Sequence, residues 1–264
     1  MSKTKDGQKS STKQCAENVI SALIDEQSPD IICLQEVRCN DNVDVSCLNL
    51  PEKGYQYVTF NCSVDKKGYS GTATFSKLNP LSTRVNFAGF DDRDELNREG
   101  RLITLEFDTY YVVTAYVPNS KPDLSRLGFR ISVWEQTVQK YIQWLQRDGK
   151  RVILCGDLNV AADKIDVHNP TSAKGKHGFT EEERTAFATL LKSCSLIDSF
   201  RYQHPRTSQY SWYSPFAQSR QRGVGWRIDY ILVSDSLKTC IKKTSILSEY
   251  YGSDHVPCFI DIDI

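Results

Sequence analysis

Apolar residues fall into short clusters separated by polar turns. Eight clusters, at 31–34, 55–60, 71–75, 101–107, 110–117, 151–155, 228–233 and 256–262, are rich in Val, Ile, Tyr or Phe and predict β-strands. In the last, Val256, Cys258, Ile260 and Ile262 alternate with Pro257, Phe259 and Asp261, as in a half-exposed strand. Three stretches carry a helical period. Ser11 and Gln14 form a capping-box pattern ahead of Val19, Ile20, Leu23 and Ile24. Leu127, Ile131, Trp134, Val138, Tyr141 and Leu145 make a buried helical stripe. Thr180 caps the third helix, with Glu183 three positions on and Phe187, Leu190, Leu191 and Cys194 turned inward. A few helices scattered among many strands imply a layered α/β domain. No fixed-period repeat is visible, which argues against a solenoid or propeller.

Composition narrows the picture. The 264 residues suit one large domain, and no linker or low-complexity run divides them. Lys+Arg and Asp+Glu both number 33, which excludes a histone-like binder but permits a local basic face. Residues 201–227 are the candidate. They hold Arg201, Arg206, Arg220, Arg222 and Arg227, no acid, and interleaved Tyr202, Tyr210, Trp212, Tyr213, Phe216 and Trp226. Arginine offers phosphate contacts and aromatics offer stacking. No apolar run approaches the ~18 residues that cross a bilayer. Met1 to Gln14 is polar, reads as a disordered stub, and carries no signal peptide. Nine cysteines without metal-ligand spacing imply free thiols in a reducing compartment and no zinc site.

The acids are informative because of where they sit. Ile31 to Leu34 runs into Gln35-Glu36, and Val152 to Cys155 runs into Gly156-Asp157-Leu158-Asn159. Asp229 lies in Arg227-Ile228-Asp229-Tyr230, and Asp254-His255 precedes the last strand. Any one acid after a strand is ordinarily a turn residue. Four such sites together suit hard oxygen ligands for Mg²⁺ or Mn²⁺.

At Leu34-Gln35-Glu36, Gly156-Asp157-Leu158-Asn159 and Ser253-Asp254-His255 the chain resembles the endonuclease/exonuclease/phosphatase superfamily. The resemblance runs from about residue 16 to the C-terminus. Tyr116-Val117-Pro118-Asn119, Gly178-Phe179-Thr180 and Gly225-Trp226-Arg227-Ile228-Asp229-Tyr230 narrow it to the exonuclease III-like abasic-site endonucleases. It implies a four-layered α/β sandwich, two packed mixed β-sheets flanked by helices, with 15–264 as one catalytic domain. The implied activity is Mg²⁺-dependent hydrolysis of the phosphodiester 5′ to abasic sites in double-stranded DNA. It leaves a 3′-hydroxyl, and 3′-exonuclease or 3′-phosphodiesterase activity can accompany it.

The resemblance also implies roles. Tyr116, Asp157, Asn159, Asp229 and His255 are the catalytic set, with Asp157 or His255 handling protons and Asp229 orienting His255. Glu36 is the principal Mg²⁺ ligand, with Asp6, Asp157, Asn159, Asp254 and His255 near the metal and Mn²⁺ as a substitute. Asn119 contacts the scissile phosphate, Trp212, Trp226 and Ile228 line a pocket for the base-less sugar, and Phe216 enters the duplex. Arg227 counts among the substrate contacts. Lys164, Lys174, Lys176 and His177 add to the DNA-facing surface. A monomer without membrane attachment is implied, located with DNA: in the nucleus of a eukaryote, or in a mitochondrion or bacterial cytoplasm.

One departure stands out. The superfamily begins with a central strand ending in Trp-Asn-x-(Asn or Asp)-Gly. Here Asp6-Gly7 aligns to its last two residues, and the polar Lys3-Thr4-Lys5 replaces the strand. The usual first strand is therefore expected to be missing. Weak Mg²⁺ binding and reduced cleavage, with DNA binding better kept, follow from that expectation. The alternatives are a catalytically weak DNA-binding relative and a retroelement-type endonuclease that cuts intact DNA equally. A lipid or inositol phosphatase leaves the Arg/aromatic segment without a role.

Overall fold

The computed structural model describes residues 19–39 and 43–264. The six-stranded sheet has the order β4-β5-β6-β7-β11-β8. Its strands are β4 (Ser82–Val85), β5 (Leu102–Glu106), β6 (Tyr110–Tyr116), β7 (Arg151–Asp157), β8 (Leu196–Asp198) and β11 (Asp229–Ser234). A second sheet, β1-β3-β2, is built from β1 (Ile31–Gln35), β2 (Tyr57–Asn61) and β3 (Thr72–Ser76). Two small ladders join β9 (Trp212–Tyr213) to β10 (Gly225–Trp226), and β12 (Ile241–Ile246) to β13 (Cys258–Ile262).

Period-two alternation explains the layering. Along β6, β7 and β11, Val113, Ala115, Val152, Leu154, Tyr230 and Leu232 face one way, into a core shared with Trp134, Val138 and Phe187. That core is closed by two helical segments. One runs Leu127–Phe129, through a π-helical turn Arg130–Glu135, into Gln136–Leu145, and the other is Glu181–Ser193. The opposite face of the sheet carries Val112, Ile153 and Val233, against which Ile31, Cys33, Ile260 and Ile262 pack. Beyond β1-β3-β2, Ile24 of the helix over 19–27 packs on Ile32, Ala73 and Phe75. Helix, sheet, sheet and helices make four layers.

The expected α/β sandwich is therefore present, with one difference in detail. Among the described residues only the six-stranded sheet is mixed, through the parallel β6–β7 pair, while the β1–β3 and β3–β2 pairs are antiparallel. Among the described residues β1 pairs only with β3, and β13 only with β12. Asp6, the polar stub 1–14 and the residues aligned to the usual first strand lie outside the described residues. All eight expected strands are present within a residue or two of their ends. Thr180 and Glu183 form the expected capping box, each side chain accepting from the other's backbone N–H. The thiols differ from expectation: Cys39 and Cys62, 5.8 Å apart at Cα, are joined as a disulfide, a separation within the ordinary range for such a bond.

Candidate active site

Strand register assembles the site. Asp157 pairs with Tyr116 across β6–β7 and with Asp229 across β7–β11. Paired residues project from the same face, so these three side chains form one row where the strands end. The row faces the second sheet, whose β1 ends in Gln35 and delivers Glu36 opposite. Gln35 Nε2 donates to Thr114 Oγ1 at 2.8 Å, and the Tyr116 hydroxyl donates to Glu36 Oε1. Glu36, Asp157, Asp229, Asp254 and His255 border one cleft of about 1350 Å³.

Asp157 and Asn159 are locked together. Asp157 Oδ1 accepts the Asn159 backbone N–H at 2.9 Å, and Oδ2 accepts from Asn159 Nδ2 at 3.0 Å. Asn159 Oδ1 in turn accepts from Asn119 Nδ2 at 2.8 Å. Asn159 sits at φ 51°, a left-handed conformation that asparagine tolerates better than most residues. Gly156 is required one residue before Asp157. At φ 129° a Cβ there would lie 2.1 Å from the Ala115 carbonyl oxygen. Burial, reinforced by the nearby Asp229 charge, pushes the Asp157 carboxyl up to about 7. His255 Nδ1 lies 2.9 Å from Asp229 Oδ2. Burial opposes the imidazolium, but Asp229 outweighs it and the His255 ring is raised to about 10. Burial, then Glu36, raises the Tyr116 phenol, so it acts as a neutral donor.

Three of these residues rest on groups to which sequence reasoning gave no role. Arg130, fully buried on the π-helical turn, donates to the carbonyls of Asn159 and Leu158, both at 2.7 Å. Its Nη1 is 3.1 Å from Glu183 Oε1, which also accepts from Ser120 Oγ. The one signal for Arg130 was a cation next to the apolar stripe of its helix. Arg101 is buried with its guanidinium 4.5 Å from the Tyr116 ring centroid, and it donates to the Tyr116 carbonyl. Arg38 reaches Glu36 Oε2 at 2.9 Å in an exposed ion pair. No local pattern marks Arg38, whereas Arg101 closes Glu99-Gly100-Arg101, one of the motifs that carry the resemblance.

The proposed substrate residues divide. Trp212 and Trp226 meet edge to face with centroids 6.4 Å apart, and both pack with Ile228 and Phe179. Trp212 Nε1 donates to Asp254 Oδ2 at 3.1 Å, which joins this aromatic wall to the cleft. Phe216 is 77% exposed. Arg227 does not reach the surface. It is 1% exposed, and its guanidinium is paired with Asp166 and Asp198, both at 2.8 Å. The basic face is also smaller than the segment 201–227 suggests. Arg201 is paired with Asp166, and Arg220 binds the carbonyls of Ser248, Tyr250 and Ser253. Arg206 and Arg222 are exposed, as are Lys164, Lys174 and Lys176, while His177 is half-buried. Among the described residues no group of three His, Cys, Asp or Glu side chains is placed to hold a metal, and Asp6 of the expected ligand set lies outside them. Asp157 is engaged by Asn159, His255 by Asp229, and Asp254 by Trp212.

Among the described residues no helix is long and apolar enough to cross a membrane. Residues 11–255 match the Endonuclease/Exonuclease/phosphatase family. The chain is 45% identical over 246 residues to an exodeoxyribonuclease of Bacillus subtilis (strain 168), covering 92% of each. It is 37% identical to the DNA repair nuclease APEX1 of Danio rerio, over 88% of this chain and 73% of that one. An AP endonuclease structure from Archaeoglobus fulgidus superposes with a TM-score of 0.83 at 26% identity, covering 95% of each chain. The row of acids at the strand ends and these relatives agree: the chain belongs to the endonuclease/exonuclease/phosphatase family, as a DNA-repair nuclease of the AP endonuclease and exodeoxyribonuclease type.

Proposed function

We propose that this protein hydrolyses the phosphodiester 5′ to abasic sites in double-stranded DNA, leaving a 3′-hydroxyl, as a monomer in the compartment that holds the genome. The observation that carries this reading is the row Tyr116, Asp157, Asp229, with His255 on Asp229, opposite Glu36 across one cleft. An in-line attack on phosphorus needs a base for water, a cation for the developing charge, and an exit for the leaving oxygen. Asp157, raised toward neutrality, takes the proton from the attacking water while Asn159 holds its carboxylate. His255, kept as imidazolium by Asp229, stabilises charge on a phosphate oxygen. Asn119 offers its second Nδ2 hydrogen to the scissile phosphate, and Tyr116 reaches it by exchanging its hydroxyl's bond to Glu36. Trp212, Trp226 and Ile228 enclose the sugar that lacks a base, and exposed Phe216 enters the duplex.

Mg²⁺ is the implied cofactor, with Mn²⁺ as a substitute. Mg²⁺ commonly keeps several waters and takes one or two carboxylates plus substrate phosphate, rather than a closed protein cage. Glu36, a partly exposed carboxylate bordering the cleft, fits that mode, with Asp6 as a candidate second ligand. When bound, Mg²⁺ supplies Lewis acidity to the phosphate and the leaving oxygen.

The test is cleavage of a labelled duplex carrying one tetrahydrofuran abasic analogue, with Mg²⁺ or with EDTA, beside an undamaged duplex. Mg²⁺-dependent cutting at the analogue alone is the expected result. Equal cutting of both duplexes would move the protein to the non-repair nucleases. Binding without cutting would make it a DNA-binding relative.

A further inference from the structure

Ser211 has no solvent exposure and stands behind the Asp229–His255 pair. Its Oγ accepts two backbone N–H groups, those of Ile228 and Asp229, each at 3.0 Å. Its own N–H donates to the Trp226 carbonyl at 3.0 Å, and its carbonyl accepts the Val256 N–H at 2.7 Å. One residue therefore fastens both partners of the pair: Asp229 directly, and His255 through its neighbour Val256. It also ties the start of β9 to Trp226 of the aromatic wall. Adjacent bonds extend the frame. Trp212 bridges to His255, and the Tyr213 N–H donates to the Asp254 carbonyl at 2.9 Å.

We infer that Ser211 is a positioning residue for the reaction, its hydroxyl setting the angle at which Asp229 meets His255. The physical argument is local. The chain turns from Trp226 into β11 at Ile228, where two successive N–H groups point to the same side. Neither belongs to a helix, and both are buried. Without the serine oxygen they lose their acceptor, and a buried donor so exposed costs enough to force backbone rotation toward another acceptor. Rotation at Asp229 swings its carboxylate relative to His255 Nδ1, now 2.9 Å away from Oδ2. A hydroxyl is required for this role, and a threonine supplies one while an alanine does not.

The inference rests on the proposed phosphodiester hydrolysis for its kinetic consequence, so the experiment pairs a kinetic readout with a metal-free one. Wild type, Ser211→Ala, Ser211→Thr, His255→Ala and the Ser211→Ala/His255→Ala double variant are compared on the abasic-analogue duplex. Ser211→Ala is expected to lower kcat on the order of 10²-fold, as small misplacements of catalytic groups do, with little change in KM. Ser211→Thr is expected to restore most of kcat. In the His255→Ala background Ser211→Ala is expected to add little, because the two changes act on one device. Without metal or DNA, the hydrogen-bonded Nδ1 proton of His255 is followed by NMR. It is expected to weaken or vanish in Ser211→Ala and persist in Ser211→Thr. A folded Ser211→Ala protein with unchanged kcat and an unchanged His255 signal would overturn the inference. So would a kcat loss that multiplies fully with that of His255→Ala. If wild type does not cut the duplex, the proposed function fails, and the NMR comparison alone still decides the role of Ser211.

Discussion

The two banks of the cleft are built differently. On the six-stranded sheet, Asp157 and Asn159 are buried, bonded to each other and to Asn119, and held from behind by Arg130 and Glu183. On the smaller sheet, Glu36 is partly exposed at φ 52° on a loop after β1. Its partners are the Tyr116 hydroxyl, which comes from the opposite bank, and the exposed Arg38. The loop itself is held by the Val37 and Arg38 N–H groups, which donate to the Gly71 and Ser70 carbonyls, and by the Cys39–Cys62 disulfide. Burial and mutual hydrogen bonds hold the groups of the first bank in one alignment, as the proton handling proposed for Asp157 and His255 requires. The second bank leaves Glu36 in contact with water, which suits the part proposed for it, a carboxylate offered to a hydrated cation.

Arg130→Met is the sharpest way to break this contrast. The change leaves Glu183 as an uncompensated buried charge and strips donors from two carbonyls beside Asp157, so a loss of ~3–5 kcal/mol is expected. Urea denaturation measures it, and cleavage should fall with it because Asn159 loses its backbone anchor. A loss below about 1 kcal/mol would mean that this bank is not braced from behind.

Asp157→Asn should separate activity from stability. Removing the base is expected to lower kcat by ~10²–10⁴-fold. Stability should move the other way. The folded carboxyl titrates at about 7 against an ordinary 3.8, so its contribution is fully present below 3.8 and is lost as pH rises through about 7. The asparagine variant should therefore gain on wild type between pH 5 and pH 8, as paired thermal melts would register. Equal melting shifts at the two pH values would contradict the raised carboxyl.

Much of the bank on the six-stranded sheet was legible in the sequence. Asp157, Asn159 and Asp229 sit at the ends of strands whose apolar alternation is strong, and register does the rest. Thr180 and Glu183 were legible as a cap for the same reason: the spacing is local. What stayed hidden depends on contacts far apart in the chain. Arg227 reads as a surface cation beside tryptophans, yet Asp166 and Asp198 bury it. Five arginines and no acid in 201–227 suggested a basic face, because the acids that pair with Arg201 and Arg227 and the carbonyls that hold Arg220 lie outside that window. Strand β12 was missed because Lys242 and Lys243 interrupt its alternation. Ser211 carries no pattern at all, since its importance lies in two N–H groups seventeen and eighteen positions away.

Asp229→Asn probes the charge that holds His255. With His255 raised from 6.5 to about 10, the pair contributes stability that is present below pH 6.5 and lost as pH rises through about 10. Wild type should thus lose stability across that window, and the asparagine variant should lose less. Denaturation series at pH 6, 8 and 10 measure the two slopes, and parallel slopes would show that Asp229 is not the counter-charge.

Arg38→Ala should have the smallest effect, and it tests the other bank. The Arg38–Glu36 pair is exposed on both sides, 64% and 42% at the side chains, so its Coulomb energy is screened by water and offset by side-chain entropy. The expected change in unfolding free energy is within about 0.5 kcal/mol. The residual should vanish at 1 M salt, where the screening length shrinks to ~3 Å. Tyr116 still donates to the other oxygen of Glu36 in this variant, so the carboxylate keeps an anchor while one side opens. A loss above about 1.5 kcal/mol that persists at high salt, larger than exposed pairs normally give, would mean that Glu36 is braced as firmly as Asp157. The division of the cleft into a rigid bank and an open one would then fail.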